Sequence, residues 1–195
     1  MDEIVSRLIS CADFGSGVYH WGVDNYGSGE TKIVGSQIAA FQGHHRRPWT
    51  ITEREFCNNC SLTFKPAGFA GSFFLLLSLA GLTPSAWDMF AATASFFIAM
   101  SQQFHAWSHM KKSQLPAAVV ALQDANVLIS RKAHGTHHRS PFNINYCIVS
   151  GICNPFLDSG LLMSLEQMIR RSTGVEPRGW YEPLAEWREL ERGEA

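Results

Sequence analysis

Residues 67–104 read AGFAGSFFLLLSLAGLTPSAWDMFAATASFFIAMSQQF and contain two apolar stretches separated by a turn. The stretches, residues 67–82 and 89–104, carry no charged residue, and Thr83-Pro84-Ser85 between them is typical of a turn. Each is somewhat shorter than the roughly 20 residues that cross a bilayer, but tryptophans and a lysine near their ends are typical of membrane interfaces. The sequence therefore predicts an all-α, integral membrane protein with a transmembrane hairpin. A buried hairpin in a soluble protein is the alternative.

The chain as a whole has 195 residues, a formal charge of -1 and a sequence pI near 6.7. This length allows one buried core, and we expect a single membrane domain over residues 1–195. The charge provides no basic field, so a nucleic-acid partner has no support. The start, Met1-Asp2-Glu3-Ile4, lacks the basic, apolar and cleavage regions of a signal peptide.

The histidines are the chemically informative residues of the chain. Seven of the eight fall into three compact groups, and the other stands alone: His44-His45, His105-x-x-x-His109, His134-x-x-His137-His138, and His20. Residues four apart on a helix share a face, so such pairs can reach one target. A lone histidine is more often an ordinary polar residue, but three groups are typical of metal binding. A hairpin returns the chain to the side it left, so the groups before and after it should lie on one membrane side.

The number of histidines favours two metal ions. A structural zinc takes four ligands and a catalytic zinc takes three, so eight imidazoles exceed either need. The His-Glu-x-x-His signature of zinc proteases is absent, because Ala106, Trp107 and Ser108 lie between His105 and His109. Imidazole suits iron, zinc or copper alike. At a bilayer the available substrate is an unactivated C–H bond, which favours a di-iron centre that uses oxygen.

Other polar residues could support such a centre. Residues 4–24 have helical periodicity, and two of their carboxylates share a face with His20. Candidates that could orient a ligating histidine through its other ring nitrogen are Asp13, Asp24 and Asp124. Helix capping or a solvated helix face is the equally plausible role of each. Weaker candidates, which could donate an oxygen or hold a water, are Asn58, Asn59 and Asn154.

Basic residues flank the histidine groups. They are Arg46, Arg47, Arg131, Lys132 and Arg139. Such residues are ordinarily the positive side of a membrane protein. At the mouth of a lipid site they could also bind the phosphate of an anionic headgroup. Both interpretations stay open at this point.

Four ordered motifs resemble the Kua-type lipid desaturases, a family that includes plastid fatty acid desaturases and plasmanylethanolamine desaturases. The resemblance covers about residues 12–183. Its motifs are DFGSGVYHWGVDNYG at residues 13–27, FQGHHRRPWTIT at 41–52, SQQFHAWSH at 101–109, and RKAHGTHH at 131–138 with Asn145-Tyr146-Cys147 and Gly151. Within the family, Gln42-Gly43-His44-His45 followed by Pro48-Trp49-Thr50 looks like the plastid type, fatty acid desaturase 4.

The resemblance implies an oxidoreductase of lipid metabolism that uses molecular oxygen and two iron ions held by the histidine boxes. The implied reaction places a trans-Δ3 double bond in palmitate of phosphatidylglycerol, with ferredoxin as electron donor. The alternatives are a plasmanylethanolamine desaturase, which forms the vinyl ether of plasmalogens, and a non-catalytic metal-binding membrane protein. No catalytic residue is expected beyond the metal centre.

The resemblance also implies a location and a missing segment. The plastid membrane is the expected location and the endoplasmic reticulum membrane the alternative. Family members have a leader and further membrane helices before the first motif, whereas 12 residues precede Asp13 here. We therefore expect that the leader and the first membrane helices are missing from this sequence. The oligomeric state stays open.

Overall fold

The computed structural model describes residues 2–181; residue 1 and residues 182–195, which the predicted single domain includes, lie outside the described residues. Within residues 2–181 the protein is helical and has no strand, which confirms the predicted all-α class. The α-helices are α1 (Asp2–Asn25), α2 (Gly35–Arg46), α3 (Phe56–Leu79), α4 (Ser85–His109), α5 (Ala117–Asp124), α6 (Arg131–His137), α7 (Asn154–Phe156) and α8 (Leu162–Thr173). Short 3₁₀ segments occupy Pro48–Glu53, Lys112–Gln114 and Arg178–Trp180, and a π-helical segment occupies Leu157–Leu161.

Helices α3 and α4 form the predicted hairpin, but both are longer than the uncharged stretches. They have 24 and 25 residues, about 36 Å each at the rise of an α-helix. The extensions include Lys65 and Asp88, because a helix continues past a charged side chain that can reach water. The two helices pack side by side, and the Thr63 hydroxyl donates to the Ala99 carbonyl oxygen at 2.9 Å.

The surface of α3 is apolar and uncovered. Among the helices of residues 2–181, α3 is the one that is long and apolar enough to cross a membrane by length and composition, and 6% of its most apolar stretch is buried. Its exposed large side chains are Phe56, Leu62, Phe64, Phe69, Phe73, Leu75, Leu76 and Leu79. This surface is compatible with lipid. Whether both helices of the hairpin cross a bilayer stays a prediction.

The region after α6 packs against α1 without forming regular structure. Residues 146–150 are buried, so their backbone N–H groups need partners. Side chains of neighbouring elements provide them: the Asp13 carboxylate accepts from Ser150 at 2.6 Å, and the Ser16 hydroxyl accepts from Ile148 at 3.2 Å. Gly17 makes room for this segment, because a Cβ there would lie 2.6 Å from the Cys147 sulfur. The segment is thereby held against the helix that carries His20.

Helix α8 and the 3₁₀ segment Arg178–Trp180 pack against the C-terminal part of α1. Both carboxylate oxygens of Glu166 on α8 accept from indole N–H groups, one from Trp21 at 2.9 Å and one from Trp180 at 2.8 Å. The Asn25 side-chain oxygen accepts from the Gly179 N–H at 2.9 Å. Helix α1, which carries His20 and Asp24, is therefore supported from the C-terminal side of the chain.

Candidate metal centre

The helices bring all eight histidines and one carboxylate into two groups of potential ligands. Within each group the ligand atoms all lie within 4.8 Å of one another. The five-histidine group consists of His44, His105, His109, His134 and His138. The four-ligand group consists of His20, Asp24, His45 and His137.

The division of the histidines follows helical geometry. Residues four apart stay together, as His105 and His109 do in the five-histidine group. Adjacent residues point about 100° apart on a helix, so neighbours in sequence face different groups. His44 and His45 at the end of α2 separate in this way. The ends of four helices thus serve two adjacent centres.

The ring nitrogens of the five-histidine group face one another. The Nε2 atom of His109 lies 3.0 Å from that of His44, 3.2 Å from that of His105 and 2.9 Å from that of His134. The Nε2 atoms of His134 and His138 are 3.0 Å apart. A neutral imidazole has one N–H, so it cannot satisfy three such contacts at once. In His105, His134 and His138 the Nδ1 atoms are also buried without a partner. Converging nitrogen lone pairs are the donor set that a metal cation requires.

Two of the three histidines in the four-ligand group have their Nδ1 atoms bound to backbone carbonyl oxygens. The Nδ1–H of His20 donates to the Tyr146 carbonyl oxygen and that of His137 to the Ile144 carbonyl oxygen, both at 2.8 Å. Because a carbonyl oxygen can only accept, the Nε2 atom of each ring carries a lone pair in the neutral form that binds a metal. Yet both Nε2 atoms face the Asp24 Oδ2 atom, at 3.2 and 3.5 Å. Acceptors that face one another in a buried site fit a shared cation.

Burial favours the neutral, metal-binding form of six of these imidazoles by lowering their pKa values. It lowers the pKa of His44 to about 2 and that of His137 to about 4, and neighbouring histidines add to both effects. Burial alone would raise the pKa of Asp24, but the histidines that surround its carboxylate hold that pKa well below its usual value. Neutral imidazoles and an ionised carboxylate are the protonation states that bind a metal.

The carboxylate candidates separate into three different environments. Asp24 lies within the four-ligand group as a potential ligand, whereas the sequence predicts that it orients a ligating histidine. Asp13 does not face a histidine: its oxygens accept from the backbone N–H groups of Ser150, Gly151 and Cys153 at 2.6–2.9 Å. Asp124 forms an exposed ion pair with Lys112. A carboxylate on a helical face is satisfied by whichever donors the fold packs against it.

The asparagine candidates contact backbone or solvent. Asn58 is exposed on α3. The Asn59 amide donates to the Ile51 carbonyl oxygen at 3.2 Å. The Asn154 side-chain oxygen accepts from the Cys147 N–H at 2.9 Å. These contacts hold the two buried amides in the fold, and oxygen donation to a metal by an asparagine stays a prediction.

The basic candidates lie beside the metal groups in the chain. Arg46 and Arg47 follow the histidines of α2, and Arg131 and Lys132 begin α6. Arg139 directly follows His138. All are exposed except Arg131, which is half-buried. Their role in headgroup binding stays a prediction.

Two features of the centre were not found by sequence reasoning. Backbone carbonyls hold His20 and His137, and no residue pattern indicates a carbonyl oxygen. Aromatic rings also cover the four-ligand group: the ring of Phe41 lies 5.0 Å from that of His20, and the ring of Phe142 lies 5.1 Å from that of His45. Phe41 stands within a histidine motif, so its position in the sequence was the available signal.

Comparison with known proteins agrees with this arrangement. The lipid desaturase domain matches residues 9–180, which include every histidine. Fatty acid desaturase 4, chloroplastic, of Arabidopsis thaliana is 51% identical over 177 residues, which are 90% of this chain and 54% of that protein. The Arabidopsis fatty acid desaturase 4-like 1, chloroplastic, is 50% identical over 179 residues, 91% of this chain and 59% of that protein.

More distant relatives belong to the same family. Plasmanylethanolamine desaturase 1 of Mus musculus is 37% identical over 176 residues, 86% of this chain and 64% of that protein. No solved structure matches the chain. The chain thus spans between about half and two thirds of the length of these relatives. The resemblance inferred from the motifs is confirmed, and this chain belongs to the lipid desaturase family.

Proposed function

We propose that this chain is the metal-binding catalytic region of an oxygen-dependent desaturase that acts on acyl chains of membrane lipids. The observation that carries the proposal is the convergence of eight histidines and Asp24 into two adjacent ligand groups in a member of the lipid desaturase family. The exposed apolar surface of α3 supports a position at the bilayer, where acyl chains are found.

The donor set fits two iron ions, one in each group, although imidazole alone does not distinguish iron from other metals. Iron held there would supply the activation of molecular oxygen that hydrogen removal from an unactivated methylene requires. The reaction as a whole takes one O₂, two electrons and two protons, removes one hydrogen from each of two neighbouring methylenes, and yields the alkene and two waters. A one-electron donor such as ferredoxin would supply the electrons.

The chain's own residues hold and position the reactants. The imidazoles and Asp24 would hold the metals, while carbonyl oxygens fix the rings of His20 and His137. The reacting methylenes carry no polar group of their own, and in a trans-Δ3 product they lie close to the ester. Contacts to the ester and to the headgroup would therefore set which methylene reaches the centre. The basic residues after α2 and at the start of α6 are the side chains suited to an anionic headgroup phosphate.

We propose palmitate of phosphatidylglycerol as the substrate and a trans-Δ3 double bond as the product. The Gln42-Gly43-His44-His45 motif and the identity of about half to the chloroplastic relatives support this choice. The same relatives support a plastid membrane, with the endoplasmic reticulum membrane as the alternative. The 37% identity to plasmanylethanolamine desaturase 1 of Mus musculus supports vinyl-ether formation as the second candidate.

Expression with lipid analysis tests the proposal. The full-length protein would be produced in a host that lacks these activities, with a His109→Ala variant as the control, and each phospholipid class analysed for new acyl species. We expect a trans-Δ3 palmitoyl chain in phosphatidylglycerol, absent from the variant. A vinyl ether in ethanolamine lipids would favour the second candidate, and an added hydroxyl group would indicate a hydroxylase. Metal-loaded protein that changes no lipid and takes up no oxygen on reduction would be a non-catalytic metal-binding protein.

The headgroup role of the basic residues has its own test. We expect charge reversal in the double variant Arg47→Glu/Lys132→Glu to weaken the preference for anionic over zwitterionic lipids, because phosphate would lose its cationic partners. Arg171→Glu, on the exposed side of α8, is a matched charge reversal away from the histidines. An unchanged lipid profile in the double variant would exclude headgroup binding at these positions.

A further inference from the structure

One short segment, residues 142–146, contacts every histidine of the four-ligand group. The Ile144 carbonyl oxygen accepts from the Nδ1–H of His137. The Tyr146 carbonyl oxygen accepts from the Nδ1–H of His20, and the Tyr146 ring lies 4.9 Å from that of His137. At the start of the segment, the Phe142 ring packs at 5.1 Å on the third histidine, His45. The segment therefore surrounds the group on the side away from Asp24.

The residue between the two carbonyls has an unusual backbone conformation. Asn145 has a φ of 59°, in the left-handed region that asparagine adopts far more readily than β-branched residues. Ile144 and Tyr146 lie on either side of it, so its conformation decides where both carbonyl oxygens point. A residue that prefers negative φ would rotate at least one of them away from its histidine.

A hydrogen bond to the side chain of Asp158 holds this backbone conformation in place. The Asn145 N–H donates to both carboxylate oxygens of Asp158, at 3.2 Å each. Asp158 belongs to the π-helical segment Leu157–Leu161, whose Leu157 is fully buried in the core that contains Tyr146. A charge-assisted bond from a rigid element is stronger than an ordinary backbone hydrogen bond. The turn is thus anchored in the protein interior and aimed at the histidines.

We propose that Asn145 and Asp158 are positioning residues for the four-ligand group, acting through the carbonyl oxygens of Ile144 and Tyr146. The inference rests on the proposed metal-binding function and goes beyond it, because neither residue is a ligand. The carbonyls set the tautomer and the ring direction of two histidines, which keeps the Nε2 lone pairs on the metal side. The two carbonyl oxygens bind histidines of the four-ligand group, so the five-histidine group should be unaffected.

The chain contains a matched control for Asn145. Asn126 also has a left-handed backbone, with a φ of 56°, but it is exposed just beyond the end of α5. Substitution by valine imposes the same kind of backbone strain at either position. Substitution by glycine relieves it, because glycine adopts positive φ readily. A selective effect on metal binding at position 145 would therefore separate positioning from general strain.

The experiment measures metal binding by the full-length protein in detergent. Metal-free wild type, Asn145→Val, Asn145→Gly and Asn126→Val would be titrated with Fe(II) without oxygen, and Co(II) spectra would report ligand geometry. We expect two ions per chain in wild type, Asn145→Gly and Asn126→Val. In Asn145→Val we expect one ion to bind about 10- to 100-fold more weakly, as for other lost supports of metal ligands. Asp158→Ala removes the hydrogen-bond acceptor of the Asn145 N–H. This variant should weaken binding of the same ion, and it provides the test if Asn145→Val does not fold.

The other outcomes separate the two proposals. Two ions bound with wild-type affinity by Asn145→Val or by Asp158→Ala would overturn the positioning role and leave the proposed function intact. Equal weakening of both ions, or equal losses in Asn145→Val and Asn126→Val, would show a general loss of stability and also overturn it. Fewer than two ions in wild type would overturn the two-metal centre itself, and the positioning role with it.

Discussion

Asp13 and Asp24 lie on one face of α1 and are both shielded from solvent, yet their surroundings are opposite in kind. Asp13 accepts hydrogen bonds from three backbone N–H groups. Asp24 faces ring nitrogens, and in the neutral forms of His20 and His137 these nitrogens carry lone pairs, because the other ring nitrogen donates to a carbonyl oxygen. A carboxylate surrounded by donors is satisfied within the protein, whereas one surrounded by acceptors needs a cation.

Substitution of Asp24 should remove one metal ion. We expect Asp24→Asn to retain one ion per chain in place of two, because the amide removes the only negative charge of the four-ligand group. Desaturation should be lost. Metal analysis of the purified protein measures the first effect, and lipid analysis the second. Two tightly bound ions in this variant would show that Asp24 is not a ligand.

Substitution of Asp13 should instead reduce stability. Asp13→Asn exchanges an acceptor oxygen for an NH₂ group, which leaves backbone N–H groups of residues 150–153 without a partner. We expect the free energy of unfolding to fall by about 1–3 kcal/mol, with two ions per chain retained. Denaturant unfolding of Asp13→Asn beside Asp24→Asn measures the contrast. A loss of metal without a loss of stability would contradict this assignment.

At the scale of elements, helical spacing in the sequence predicts part of the centre. Pairs four apart, such as His105 and His109, meet in one group as the spacing requires. The other two sequence groups are divided between the two ligand groups, because adjacent histidines on a helix point in different directions. The sequence did not predict Asp24 as a potential metal ligand, for a related reason. Its spacing from His20 placed both on one face, but only the fold shows what packs against that face.

The limits of the hairpin were harder to predict than its existence. Counting uncharged residues gave stretches of 16 residues, whereas the helices have 24 and 25. The difference arises because Lys65 and Asp88 lie within helices whose ends can reach water. Apolar composition indicates where a helix is buried in lipid or protein, but its ends depend on capping and on the chain that follows.

The predicted membrane hairpin leads to a topology prediction. Ser85 begins α4 and Ser113 lies beyond its end, and both side chains are exposed. In a background without the exposed Cys11 and Cys57, Ser85→Cys and Ser113→Cys should react with an impermeant thiol reagent from opposite sides of sealed vesicles. Labelling from the same side in both variants would contradict a spanning α4 and favour a hairpin that is buried in protein.

At the scale of the whole molecule, the centre depends on chain segments that are distant in sequence. His20 near the start of the chain is held by the carbonyl of Tyr146, which lies in a segment without regular structure. The sequence could indicate that the histidines bind metal, because imidazoles are chemically distinctive. It could not indicate which backbone atoms support them, because every residue has a carbonyl oxygen and only packing selects two of them.

Packing so many imidazoles together also makes the metal-free protein sensitive to acid. Burial lowers the pKa of His44 to about 2 and of His137 to about 4, from a value of 6.5 in the unfolded chain. Below about pH 6.5 the unfolded state therefore binds more protons than the folded state, so the free energy of unfolding falls as the pH falls. Above that pH neither histidine makes the free energy of unfolding depend on pH. The depressed pKa of Asp24 adds a further loss only near and below its unfolded value of 3.8.

We expect the melting temperature of the metal-free protein to decrease from pH 7 to pH 5 and to be nearly constant from pH 7 to pH 8. Iron-loaded protein should melt at a higher temperature throughout, because metal binds the folded state, and it should release metal as protons compete for the ligands. Thermal unfolding in detergent at each pH, with and without chelator, measures both effects. A metal-free protein equally stable at pH 5 and pH 7 would mean that the imidazoles are solvated, which is incompatible with the tight nitrogen contacts of the two groups.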